Sequence, residues 1–75
     1  MYHRIEFVVD VEVDLTRSPR HPLERLSIRK GSLLRAQVRP YVVEAEEGPV
    51  EVADLFFEDG TAALRVRFAC FTFER

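Results

Sequence analysis

The sequence predicts an all-β fold, a small five- or six-stranded antiparallel barrel or rolled sheet, on three observations. Residues 5–15 alternate apolar and polar side chains with a period of two, the signature of a strand with one buried face. Later segments repeat that alternation between turn signals: Lys30-Gly31-Ser32, Glu46-Glu47-Gly48-Pro49 and Glu58-Asp59-Gly60-Thr61. No segment reads as a long helix, and no repeat recurs at a fixed period.

Seventy-five residues make one domain, 1–75. A chain this short buries roughly 60 to 65% of its unfolded surface, which gives a core of roughly fifteen to eighteen side chains and no room for a dinucleotide fold or a deep enclosed active site. Hydrophobic residues at 47% place it among globular chains. Cys70 stands alone, so neither an internal disulfide nor a zinc site is expected and packing must hold the domain. No apolar run approaches a membrane span, and Met1-Tyr2-His3-Arg4 leads into alternating charge instead of a signal core. A cytosolic setting without membrane contact is expected.

Ile5, Phe7, Val9, Val11, Val13 and Leu15 form one face of the first strand, and Glu6, Val8, Asp10, Glu12 and Asp14 the other. At about 3.4 Å per residue it would exceed 30 Å, so it should bend or coil around a barrel. Residues 16–22 hold Pro19 and Pro22 and read as a loop. Two readings remain for 22–30. Pro22 at a first helical position and Gly31 beyond the end fit a short helix, hence an α+β alternative; Leu26 and Ile28 alternating with Ser27 and Arg29 favour a turn and a strand over 26–29. Residues 33–38 form the next strand, Pro40 marks its end or an edge, and 41–45 and 50–57 follow as strands. In 62–74, Leu64, Val66 and Phe68 share a parity that Phe71 and Phe73 do not. A bulge or one 3₁₀ turn near Ala69-Cys70 would return the last two phenylalanines to the core face.

The segment Glu24-Arg25-Leu26-Ser27-Ile28-Arg29-Lys30-Gly31-Ser32-Leu33-Leu34 resembles the diverging-turn region of Src-homology-3 domains, and the expected late 3₁₀ turn is also similar to theirs. The resemblance implies a small-barrel shape. It does not carry proline-rich peptide binding, because the chain has no tryptophan and lacks the paired aromatics of that groove.

The net charge of −2 is segregated: residues 1–15 sum to −3, residues 16–39 to +6 and residues 40–75 to −5. Ion pairs between neighbouring strands are the expected outcome, with Asp10, Glu12 and Asp14 answered by Arg65 and Arg67 or by Arg35 and Arg39. His3 and His21 have no partners at metal-ligand spacing, and Cys70 sits in an apolar neighbourhood with no base close in sequence. No cofactor, metal or catalytic residue is assigned. The expected function is that of a non-enzymatic protein-interaction module or oligomer subunit, binding a protein partner or itself as a homodimer. Its candidate surface is Tyr41 and Phe57 with Phe71, through exposed aromatics and an open edge at 5–15 or 71–74. The alternative is a nucleic-acid-binding barrel using Arg17, Arg20, Arg25, Arg29, Lys30 and Arg35; the acidic net charge and the few stacking residues rank it second.

Overall fold

A computed structural model describes residues 1–18 and 20–74; Pro19, one of the two loop prolines, lies outside the described residues. It contains seven strands, β1 (His3–Phe7), β2 (Val11–Thr16), β3 (Glu24–Ile28), β4 (Leu33–Ala45), β5 (Gly48–Phe57), β6 (Ala62–Arg67) and β7 (Phe71–Phe73), with a 3₁₀ turn at Phe68–Cys70. All pair antiparallel in one curled sheet, a half-barrel of order β3-β2-β6-β5-β4-β1-β7. The all-β class is as expected; the helix considered for 22–30 is replaced by β3.

The expected single strand over 5–15 is two strands of one bent segment. Ile5 pairs Leu34 and Leu15 pairs Glu24, so partner numbers add to 39 on both sides of the bend. β1–β2 and β3–β4 are therefore one two-stranded ribbon with a corner in it. At the corner the ladder gives way to other bonds. Gly31 N–H donates to the Phe7 carbonyl (2.7 Å), Phe7 N–H to Ser32 (3.0 Å) and Val8 N–H to Cys70 (2.9 Å), while the Asp10 carboxylate accepts the Lys30 N–H (2.8 Å). Gly31 has φ +91°, a conformation that a Cβ would strain. Val9, expected inward, is 44% exposed, and Val11 is only half-buried.

The bend forces the sheet to curl. In the strand order β2 and β1 are separated by three other strands, a distance of about 19 Å in a flat sheet at about 4.8 Å per step. The chain from Phe7 to Val11 is four residue steps and can reach at most about 14 Å. Only a rolled sheet satisfies both. Its concave side holds Ile5, Phe7, Val13, Ile28, Ala36, Ala53, Leu55, Ala63, Val66 and Phe71 as one cluster.

One further expectation changes, and another is met. The strands foreseen at 33–38 and 41–45 are one thirteen-residue strand running through Pro40. β1 pairs β4 only as far as Ala36, so from Gln37 onward one side of β4 has no neighbour, and a residue lacking an N–H is tolerated there. The 3₁₀ turn falls where the phenylalanine parity slips and returns Phe71 and Phe73 to the face of Phe7 and Ile5, their register partners. Phe71 is buried; Phe73, at the rim, stays 46% exposed, with the His3 ring edge-on at 5.4 Å.

Truncating Phe7 to Ala should cost about 3–5 kcal/mol, as for other buried phenylalanines, whereas Val9→Ala should cost under about 1 kcal/mol as an exposed substitution. Denaturant unfolding of the two variants checks the position of the bend; equal losses would restore the unbroken strand.

Candidate functional site

Of the three aromatics proposed as a surface, one remains outside. Tyr41 lies on the convex face, half-buried, and its hydroxyl donates to Asp54 Oδ1 at 2.8 Å. Phe57 is corrected to the core face, paired with Ala36 and packed half-buried against the core. Phe71 is a core residue, 5% exposed. Phe57 shares the parity of Ala53 and Leu55, both fully buried, and faces inward with them; a register bulge interrupts the neighbouring β5–β6 pairing without altering this alternation along β5.

That bulge organises the convex face. Ala53 pairs Val66 and Leu55 pairs Ala63, so β6 carries one residue more than β5. Arg65 takes up the excess at φ +53°, a left-handed conformation costly for a residue with a Cβ. Its N–H, displaced from the ladder, donates to Asp54 Oδ1 at 3.0 Å, the same oxygen that accepts from Tyr41. Burial, and then the adjacent Asp54, holds the Tyr41 phenol above its ordinary pKa. Asp54 is thus an internal bond acceptor.

The six cations proposed for anion binding divide into two sets. Arg17 pairs Glu24 (2.6 Å), Arg25 pairs Asp14 (2.8 Å) and Glu12 (3.6 Å), and Arg35 approaches Glu58 (3.8 Å). The Asp14 carboxylate raises the Arg25 pKa. The acidic ladder on β2 is therefore answered by Arg25 on β3, not by the arginines of β4 or β6; the sequence offered no sign that β3 rather than β4 lies beside β2. Among the described residues, no ion pair engages Arg20, Arg29 or Lys30.

One side-chain pair went unnoticed in the sequence. Ser18 Oγ and His21 Nδ1 are hydrogen-bonded at 2.6 Å. The same turn has His21 N–H donating to the Ser18 carbonyl and Arg20 N–H to Ser18 Oγ. The pair closes an exposed local turn, and no carboxylate among the described residues hydrogen-bonds the imidazole, as a nucleophile–base pair would require. Cys70 packs half-buried against the core.

The remaining feature is the set of open strand sides. Among the described residues β7 pairs only β1, β4 lacks a neighbour on one side from Gln37 to Ala45, β3 pairs only β2, and short unpaired sides remain on β5 over Gly48–Glu51 and on β2 over Val11–Val13. The first is three residues long and the second holds Pro40, both devices that blunt an edge. β3 has neither, and its outer-face arginine, Arg25, is drawn back across β2. Beside it lies the mouth of the half-barrel, a groove of about 340 Å³ lined by Leu15, Leu26, Leu34 and Phe57 with Arg17, Asp59 and Thr61. Leu26 is 36% and Leu23 57% exposed. The edge expected at 5–15 is thus corrected: β1 and β2 are interior strands, and β3 and β7 are the ends of the sheet.

Comparison with family models, with curated proteins and with solved structures finds no match to this chain. No helix among the described residues is long and apolar enough to cross a membrane.

Two predictions follow from these bonds. Asp54→Ala should cost about 0.5–1.5 kcal/mol by removing the acceptor shared by the Arg65 N–H and the Tyr41 hydroxyl, and Asp54→Asn, which keeps an acceptor, should cost clearly less in the same melts. Asp59 accepts from the Thr61 hydroxyl (2.6 Å) and N–H (3.0 Å), which lowers its pKa below the ordinary 3.8. Because the folded value is the lower one, its contribution is complete above the unfolded carboxylate range and fades as pH falls through the folded value. The stability gap between the wild type and Asp59→Ala should therefore be open at pH 7 and narrow below pH of about 3; a gap that does not change between these pH values would refute the assignment.

Proposed function

We propose that this chain is a non-enzymatic β-module that works by association, with a protein partner or with a second copy, through the free side of β3. The carrying observation is the coincidence of an unblunted strand edge with an open apolar groove. Backbone donors and acceptors of an edge strand are a template for another strand, and adjacent apolar side chains supply selectivity. The accessible surface supports this reading: 5544 Å² exceeds by roughly 800 Å² the roughly 4,700 Å² of a compact monomer of this mass, and about 800 Å² is one partner's share of a standard interface. The Src-homology-3-like shape is part of the proposal, supported by β3, the Gly31 turn, β4 and the 3₁₀ turn before the last strand. We place the module in the cytosol.

The nucleic-acid alternative ranks behind, because Arg17, Arg25 and Arg35 already face carboxylates. A photo-crosslinking residue at Ser27, on the free edge, should yield a discrete adduct in the cell of origin. The same probe at Glu46, in the β4–β5 turn, should not. No adduct at Ser27, or the same adducts at both positions, would overturn the reading.

A further inference from the structure

We infer that the free side of β3 takes an extended segment of alternating apolar and acidic residues from a partner protein, an inference that rests on β3 being the docking edge. The strand already holds such a segment on its other side. β2 reads Val11-Glu12-Val13-Asp14-Leu15; Val11 and Val13 pair Ile28 and Leu26 on the core face, while Asp14 and Glu12 on the outer face are gathered by Arg25. Side chains on each face of β3 neighbour the strands on both sides alike. An occupant's inward residues therefore abut Leu26 and the 340 Å³ groove, and its outward residues lie beside Arg25 and Ser27.

The charges around this edge fit acids. Arg20 precedes the strand, Arg29 and Lys30 follow it, and none of the three has an ion-pair partner among the described residues. Arg29 and Lys30 share an open cleft with Asp10 and Glu12; Asp10 spends an oxygen on the Lys30 backbone N–H, and Glu12 lies 3.6 Å from Arg25. From Leu23 to Arg29 is six residue steps, about 20 Å, the length of a six- or seven-residue segment.

A second copy answers these charges less well. Antiparallel pairing of β3 with itself about Leu26 sets Leu23 against Arg29 and Pro22 against Lys30, so the cations at the strand ends meet no carboxylate there, Glu24 being held by Arg17 at 2.6 Å. A nucleic acid would answer the cations but leave Leu23 and Leu26 in water, and β3 has no aromatic residue on which a base could stack.

The test uses the full chain and two labelled hexapeptides, Val-Glu-Val-Asp-Leu-Thr, which copies residues 11–16, and its inverted form Val-Lys-Val-Lys-Leu-Thr. Fluorescence anisotropy should show the acidic peptide bound at least about tenfold more tightly, the scale of two exposed ion pairs. The double variant Arg29→Glu/Lys30→Glu, with a melting temperature close to the wild type, should invert that order. Amide exchange should slow along 24–28 when the acidic peptide binds and remain unchanged along 71–73. Equal binding of both peptides, or no binding of the acidic one at millimolar concentration, overturns the inference. If self-association or single-stranded oligonucleotide binding appears in place of peptide binding, the acidic-peptide occupant is likewise overturned. Adduct formation at Ser27 in the crosslinking experiment would then still stand for a docking edge with a different occupant, whereas its absence would remove the edge itself.

Discussion

The whole structure depends on the corner where the β1–β2 and β3–β4 ribbon turns. Seventy-five residues of alternating sequence would otherwise make a flat sheet, which has no inside and cannot bury enough apolar surface to offset ordering the chain. The three residues Val8, Val9 and Asp10 leave the ladder so that β1 can join β4 and β7 while β2 joins β6. The cost of leaving is reduced by four bonds at the corner: Gly31 and Ser32 bond Phe7, Cys70 accepts from Val8, and the Asp10 carboxylate takes the Lys30 N–H. Phe7, fully buried beneath the corner, gains its packing against Phe71 only because the chain bends there.

Rolling the sheet without closing it leaves open sides, and the chain treats them unequally. Three residues suffice for β7, and Pro40 removes a donor from the long free side of β4. β3 is left with Leu26 at the mouth of the core and Ser27 on the outside, its arginine committed elsewhere. An edge guarded everywhere would argue for a monomer that merely persists. Selective guarding argues for contact at the end strand that is neither shortened nor interrupted by proline, which is the physical basis for proposing association there.

The fold was legible where local chemistry decides the structure. Alternation along 5–15, the Asp59-Gly60 turn and the parity slip before Phe71 each carry their cause in adjacent residues, and each of these features appears in place, the first as two strands. Features decided by distant partners were not legible. Val9 has the composition of a core residue, but its exposure follows from which strands β1 and β2 join. Pro40 looked like a stop because nothing in its neighbourhood says that β1 ends its pairing at Ala36. Phe57 faces inward because β5 is set by its pairing with β4, where Phe57 stands opposite the buried Ala36. The candidate site suffered most, since edges are a property of strand order and strand order is non-local.

The segregation of charge along the sequence meets the same logic and leads to the site. Its basic middle third folds onto both acidic flanks, and Arg17, Arg25 and Arg35 find carboxylates. Those pairs are exposed and each contributes little to stability, so their main effect is to decide which charges remain unanswered. Among the described residues the unanswered cations of that third include Arg20, Arg29 and Lys30, which flank β3. Neutralisation within the fold and polarity at the edge are therefore consequences of a single arrangement: β2 supplies acids to one side of β3, and Arg20, Arg29 and Lys30 stand at its ends without an ion-pair partner among the described residues.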